Sequence, residues 1–130
     1  MVKFFGKSKK GEIRIIGKTK RLSELEQICG NKEVYESLTH TMFLDPRKIE
    51  LPMKEAAEKA KRFEEEKNHG RARMWYDIAG GLAIYEGNAK RVVEFFSESQ
   101  RISGREYPIL KTAEKAVTAA QEYYKKYLKG

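Results

Sequence analysis

The sequence predicts a mainly α-helical fold, in which a short N-terminal β-hairpin precedes an antiparallel array of helices. After Ser23, apolar residues recur at the helical period of about 3.6 residues through most of the chain. The first 17 residues instead alternate weakly between apolar and polar and are interrupted by glycines. A chain of 130 residues that is 40% hydrophobic and 35% charged is typical of one globular domain with a densely charged surface.

Two β-branched or aromatic runs flank a glycine- and lysine-rich turn in residues 1–17. The first run ends at Phe5, the second spans residues 12–16, and Gly6 and Gly11 bound the turn. This pattern predicts a β-hairpin whose turn exposes lysines. Because an isolated hairpin is only marginally stable, we expect its apolar face to dock on the helices or on a partner. The alternative is that this segment is disordered.

Two short helices are predicted next. Ser23 and Glu26 have the spacing of a capping box, so a first helix should begin there and end at Gly30. Asn31 is a suitable N-cap for a second helix. Residues 45–52 contain two of the three prolines and are therefore predicted to form a loop that stops this helix.

Four longer helices follow, each with one apolar face. Their apolar stripes comprise Met53, Ala56, Ala57, Ala60 and Phe63; Trp75, Ile78, Ala79, Leu82 and Tyr85; Val92, Val93, Phe96 and Ser99; and Leu110, Ala113, Val117, Ala120 and Tyr124. The connectors are short, so consecutive helices should be antiparallel neighbours. Residues 68–70, 86–88 and 103–104 within them should supply left-handed caps or N-caps. Gly80 and Gly81 each cost a helix roughly 1 kcal/mol relative to alanine. We expect a neighbouring helix, rather than a ligand, to approach closely there.

The segment from Trp75 to Ser99 resembles a tetratricopeptide repeat. The positions that support the resemblance are Trp75, Ile78, Ala79, the Gly87-Asn88 turn, and Phe95 or Phe96. The segment departs from the family pattern because the first helix has one extra residue, Val92 replaces the usual alanine, and the closing proline is displaced to Pro108. The resemblance implies a repeat-like helical hairpin with a protein-interaction surface; the alternative is an unrelated helical bundle.

Positive charge is concentrated at the N-terminus. Of the 27 lysines and arginines, eight lie in the first 21 residues, where Glu12 is the single anion. These cations are Lys3, Lys7, Lys9, Lys10, Arg14, Lys18, Lys20 and Arg21. Nearly all of the net charge of +8 therefore belongs to residues 1–21, the basic arm, whereas residues 22–130, the helical domain, are almost neutral.

A cluster of lysines and arginines favours a polyanionic partner. We expect nucleic acid or a ribonucleoprotein to bind the basic arm, and a smaller cluster at Arg71, Arg73, Lys90 and Arg91 to extend that surface. The helical array would contact a protein, as in a subunit of a nucleoprotein assembly. Two alternatives stay open: a pure protein adaptor with an inert arm, and a merely solvated arm, which the thermophile-like Lys/Glu content also suits.

The sequence contains no recognisable catalytic motif. Gly6-Lys7-Ser8 lacks the upstream glycine of a phosphate-binding loop, and His40 and His69 have no partner at ligand spacing. We expect a non-enzymatic protein without cofactor, metal or small-molecule substrate. The single cysteine, Cys29, and the absence of an apolar segment of about 18 residues predict a cytoplasmic protein without a membrane span.

Three tyrosines near the C-terminus allow two interpretations. Tyr123, Tyr124 and Tyr127 are interleaved with lysines, a pattern suited to stacking on nucleic-acid bases. Helical spacing, however, places Tyr124 and Tyr127 beside the apolar stripe of the last helix. Packing against the core is therefore favoured over stacking.

Overall fold

The computed structural model of the protein describes residues 24–42 and 46–129. Six α-helices occur in these ranges: α1 (24–29), α2 (Lys32–Thr41), α3 (Met53–Glu65), α4 (His69–Glu86), α5 (Ala89–Ser103) and α6 (Ile109–Tyr124). A 3₁₀ turn at Pro46–Lys48 lies between α2 and α3, and a π-helical turn at Lys125–Lys129 continues α6.

The predicted mainly α class is confirmed, and for the described residues the predicted fold class is corrected from helix with a β-hairpin to all-helical. Residues 24–42 and 46–129 contain helices and turns and no strand, so the fold is all-helical as far as it is described. The hairpin prediction falls on residues 1–17, which lie outside the described residues. It depended on runs of a few residues, which are too short for periodicity to distinguish a strand from other local structure.

Side-chain and glycine caps set the helix ends as predicted. The Asn31 side chain accepts hydrogen bonds from the backbone amides of Glu33 and Val34, at 2.7 and 3.2 Å. Asparagines also cap α4 and α5, and glycines in the left-handed conformation end α4 and α5. The connector between α3 and α4 differs from the prediction, because Lys67 takes the positive φ of 64°.

The crossing of α4 and α5 confirms the predicted close approach at Gly80. A Cβ placed on Gly80 would lie 2.5 Å from the ring of Phe96, which is fully buried. The adjacent Gly81 has ordinary space, since its Cβ would lie 3.9 Å from the backbone oxygen of Thr41. Only Gly80 is therefore required by this crossing.

Helix α2 packs on α6, although the two helices are far apart in the sequence, and it also contacts α4. At the centre of this contact the hydroxyls of Ser37 and Thr112 lie 3.0 Å apart in the core. The Ser37 hydroxyl donates to the Glu33 carbonyl at 2.9 Å, so Thr112 donates to Ser37. In a linear repeat array each unit contacts only its neighbours along the chain, so the α2–α6 packing adds a closing contact that such an array lacks.

Two fully buried serines provide a stability test. Replacing Ser37 with alanine would leave the Thr112 hydroxyl without its acceptor, and we expect a loss of about 1–2 kcal/mol. Ser99 is equally buried and its hydroxyl has no partner among the described residues, so Ser99→Ala should be neutral or slightly stabilising. Urea unfolding of both variants checks this, and a greater loss for Ser99→Ala would contradict it.

Candidate functional site

A groove in the described part of the chain has a volume of about 520 Å³. It lies between the first half of α4, the end of α2 and the connector that precedes α6. The side chains relevant to binding are those of His40, Arg73, Met74, Asp77, Ile78 and Tyr107. Met74 is 47% exposed although it is a large hydrophobic residue, so the groove offers an apolar contact with polar groups at its margin.

A hydrogen-bonded network forms one wall of this groove. The Arg73 guanidinium Nε donates to the Tyr107 hydroxyl at 2.8 Å, and that hydroxyl donates to Asp77 Oδ1 at 2.9 Å. Burial raises the pKa of Tyr107, although the Arg73 hydrogen bond opposes the shift. The phenol therefore stays protonated at neutral pH, and the network pins the α5–α6 connector to α4 rather than supplying a base.

The smaller predicted cluster does not form one surface. Arg73 belongs to the network just described, and the guanidinium of Arg71 lies 5.7 Å from the Phe63 ring centroid. Lys90 is exposed at the start of α5, and beside it Arg91 pairs with Glu94 at 2.6 Å. Arg71 and Arg73 lie near the start of α4, whereas Lys90 and Arg91 lie beyond its end. About 20 Å of helical rise separates the two pairs.

The eight cations of the basic arm lie outside the described residues. Among the described residues of the helical domain, several cations have anionic partners close by. Arg101 contacts Glu64 at 2.7 Å and Glu98 at 2.9 Å. These pairs reduce the domain's capacity to attract a polyanion.

A second cluster lies where α6 ends. Tyr124 is 3% exposed and packs edge-on against Tyr85 at 5.2 Å, which confirms the core prediction for this residue. Tyr123 and Tyr127 are half-buried, with ring centroids 4.8 Å apart. Lys126 Nζ lies 5.4 Å from the Tyr127 ring centroid and 3.1 Å from the Glu24 carboxylate. The sequence signal for this cluster was the alternation of tyrosine and lysine.

Other chemically relevant side chains do not assemble into a site within residues 24–42 and 46–129. No group of three or more His, Cys, Asp or Glu residues there could hold a metal ion. Burial, and secondarily Glu26, raises the pKa of the half-buried Cys29 thiol, which disfavours the reactive thiolate. None of the helices in these ranges combines the length and apolar character that crossing a bilayer requires.

Comparison with protein-family models, with curated proteins and with solved structures found no match to this chain. Support for a function therefore comes from the chain's own charge distribution and from its described surfaces.

Proposed function

We propose that the protein is a small non-enzymatic binding module in a nucleoprotein assembly. The basic arm contacts the phosphate backbone of a nucleic acid, and the helical domain contacts a protein. The observation that supports this proposal is the charge distribution, in which eight arm cations are accompanied by one anion. A reducing, cytoplasmic compartment suits the lone Cys29.

The paired cations of the helical domain support giving this role to the arm. Arg91 and Arg101 are already paired with carboxylates of their own domain, and Arg73 is held by Tyr107 and Asp77. A phosphate would have to compete with these contacts. Within its own sequence the arm contains only Glu12 to offset eight cations, and phosphate binding by such a cluster would release condensed counterions.

The groove supports the protein-binding part of the proposal. Exposed Met74 and the neighbouring Ile78 offer an apolar contact, and the wall formed by Arg73, Asp77 and Tyr107 offers hydrogen-bonding groups. This mixture is typical of an interface with an apolar centre and a polar rim. The resemblance of residues 75–99 to a tetratricopeptide repeat supports the same role.

The same groove favours a second candidate function, a protein adaptor whose arm is inert. The two functions differ in what nuclease treatment does to the assembly. A tagged protein isolated at near-native salt would keep its partners after nuclease treatment if it is a pure adaptor. Loss of partners on nuclease treatment is expected for the nucleoprotein subunit.

Charge removal from the arm should weaken nucleic-acid binding. We expect the triple substitution Lys7, Lys9 and Lys10→Ala to lower affinity for a labelled oligonucleotide about 10-fold at low salt. The slope of log K against log salt should become shallower by about 1 for each phosphate that the arm no longer neutralises. Fluorescence anisotropy across a salt series measures both quantities.

A matched control removes the same charge from the helical domain. Lys54, Lys61 and Lys111 are exposed, and their replacement by alanine also lowers the net charge from +8 to +5. The affinity of this variant for the oligonucleotide should be within about 2-fold of that of the natural protein, with the same slope of log K against log salt. Equal losses in both triple variants, or an affinity independent of salt, would contradict a role for the arm.

A further inference from the structure

We infer that the end of the helical domain beyond α6 stacks the bases of a single-stranded nucleic acid. The surface, here termed the tyrosine platform, comprises Tyr123, Lys125, Lys126 and Tyr127. This inference rests on the proposed function, because the platform would hold the bases of the strand whose phosphates the basic arm contacts.

The aromatic rings of the platform are organised by the helix and by the core. Tyr123 and Tyr127 are four residues apart and share one face, with ring centroids 4.8 Å apart and planes inclined at 43°. Tyr123 also packs against buried Tyr124, at 6.2 Å between centroids, and Tyr124 packs against Tyr85. Tyr127 therefore contacts Tyr123, which in turn packs on core residue Tyr124, so the ring of Tyr123 is already ordered before a base stacks.

Two lysines flank these rings. Lys125 and Lys126 are both exposed, and the Lys126 ammonium lies 5.4 Å from the Tyr127 ring centroid. Among the described residues, the carboxylates at this end include Glu24, which Lys126 contacts at 3.1 Å, and exposed Glu122. The platform therefore combines tyrosine rings with lysines, the combination found in proteins that bind single strands. A phosphate at Lys126 would have to compete with Glu24, whereas Lys125 is exposed.

The platform also lies beside the attachment point of the basic arm. The Glu24–Lys126 ion pair joins α1 to the turn that contains Tyr127. Arg21, the last cation of the arm, precedes Glu24 by three residues, which is at most about 10 Å of extended chain. A strand bound to the arm would therefore reach the platform within a few nucleotides.

The aromatic rings favour single strands over duplexes. In a duplex each base is already stacked on its neighbours, whereas an unpaired base offers its face to a side chain. Phosphate contacts by the arm alone would not distinguish the two forms. The tyrosine platform thus gives the proposed function a substrate class, single-stranded RNA or DNA.

The experiment compares the natural 130-residue chain with Tyr127→Leu, using labelled poly-U, poly-dT and a DNA duplex in anisotropy titrations. The natural chain should bind the single strands more tightly than the duplex. Tyr127→Leu should lose about 10-fold affinity for the single strands, keep its duplex affinity within about 2-fold, and keep its salt slope. Tyr127→Phe should retain single-strand binding, since the ring remains. Comparison of poly-U with poly-dT reports whether RNA or DNA is preferred.

Phe63→Leu is the matched control, because Phe63 is also half-buried and has a cation, Arg71, at 5.7 Å from its ring. It should bind single strands as the natural chain does. Three outcomes would each overturn the platform. The natural chain could prefer the duplex, or Phe63→Leu and Tyr127→Leu could lose equal affinity. The third is unchanged single-strand binding by a Tyr127→Leu variant whose thermal melting curve is normal. If Tyr127→Leu leaves binding unchanged while the arm substitutions weaken it, the proposed function stands without the tyrosine platform. If no oligonucleotide binds to the natural chain, both proposals are wrong.

Discussion

Replacing Phe96 with alanine is expected to lower the free energy of unfolding by about 3–5 kcal/mol, the largest single-residue effect that we predict. The Phe96 side chain is fully buried in the core and fills the space above Gly80 where α4 and α5 cross. Its ring also stacks on that of Tyr107, with centroids 5.6 Å apart. Truncation would leave a cavity and remove this stacking. Urea unfolding followed by circular dichroism measures the loss.

The neighbouring glycines make this prediction specific. Gly80→Ala introduces a Cβ 2.5 Å from an aromatic ring that cannot move away, and we expect a loss of about 2 kcal/mol despite the better helix propensity of alanine. Gly81→Ala introduces only an ordinary contact, at 3.9 Å, and should be neutral or stabilising by up to about 1 kcal/mol. In the Phe96→Ala background, Gly80→Ala should cost much less, because its methyl group occupies vacated space. Equal costs for the two glycine substitutions would refute the close approach.

Alkaline pH is expected to remove on the order of 2 kcal/mol of stability through Tyr76. Burial, followed by the negative charges of Glu98 and Glu64, raises the pKa of Tyr76 to about 12, from 10.0 for an exposed tyrosine. A pKa that is higher in the folded state means that the stabilisation is fully present below pH 10 and is lost as the pH rises toward 12. Unfolding free energies measured at several pH values across this interval check the slope.

The Tyr76→Phe variant isolates this contribution. It lacks the titrating hydroxyl, and the bond that it gives up, from the Tyr76 hydroxyl to Glu64 Oε1, is long at 3.5 Å. We therefore expect similar stability to the natural chain at neutral pH and a smaller decline above pH 10. Burial also raises the pKa of Tyr107, so some decline should persist. Parallel curves for the two proteins would show that Tyr76 is not the group responsible.

Local sequence rules predicted the parts of the fold that depend on neighbouring residues. The N-caps at Asn31 and Asn88 and the left-handed glycine at Gly87 follow from backbone requirements within a few residues. Apolar periodicity predicted the helices, but it does not show which of two adjacent apolar residues faces the core. Val93 was placed in a core stripe and is 40% exposed, because Val92 beside it occupies the buried face.

Contacts between distant segments were not predictable in this way. Nothing in the neighbourhood of Tyr107 identifies Arg73 and Asp77 as its partners, since both lie on a helix about 30 residues earlier. The Ser37–Thr112 pair spans even more of the chain. For the candidate site, the sequence identified the cations of the basic arm and the tyrosines. Only the structure shows that Tyr127 and Lys126 lie beside the helix at which the arm attaches.

The contact between α2 and α6 affects how the chain folds during translation. Translation proceeds from the N-terminus, so the apolar surface of α2 leaves the ribosome long before its partner α6 has been made. Consecutive hairpins such as α3–α4 can pair as they emerge, but the face of α2 that packs on α6 stays uncovered until α6 has been made. Premature termination upstream of Ile109 would therefore release an aggregation-prone product rather than a shorter, stable domain.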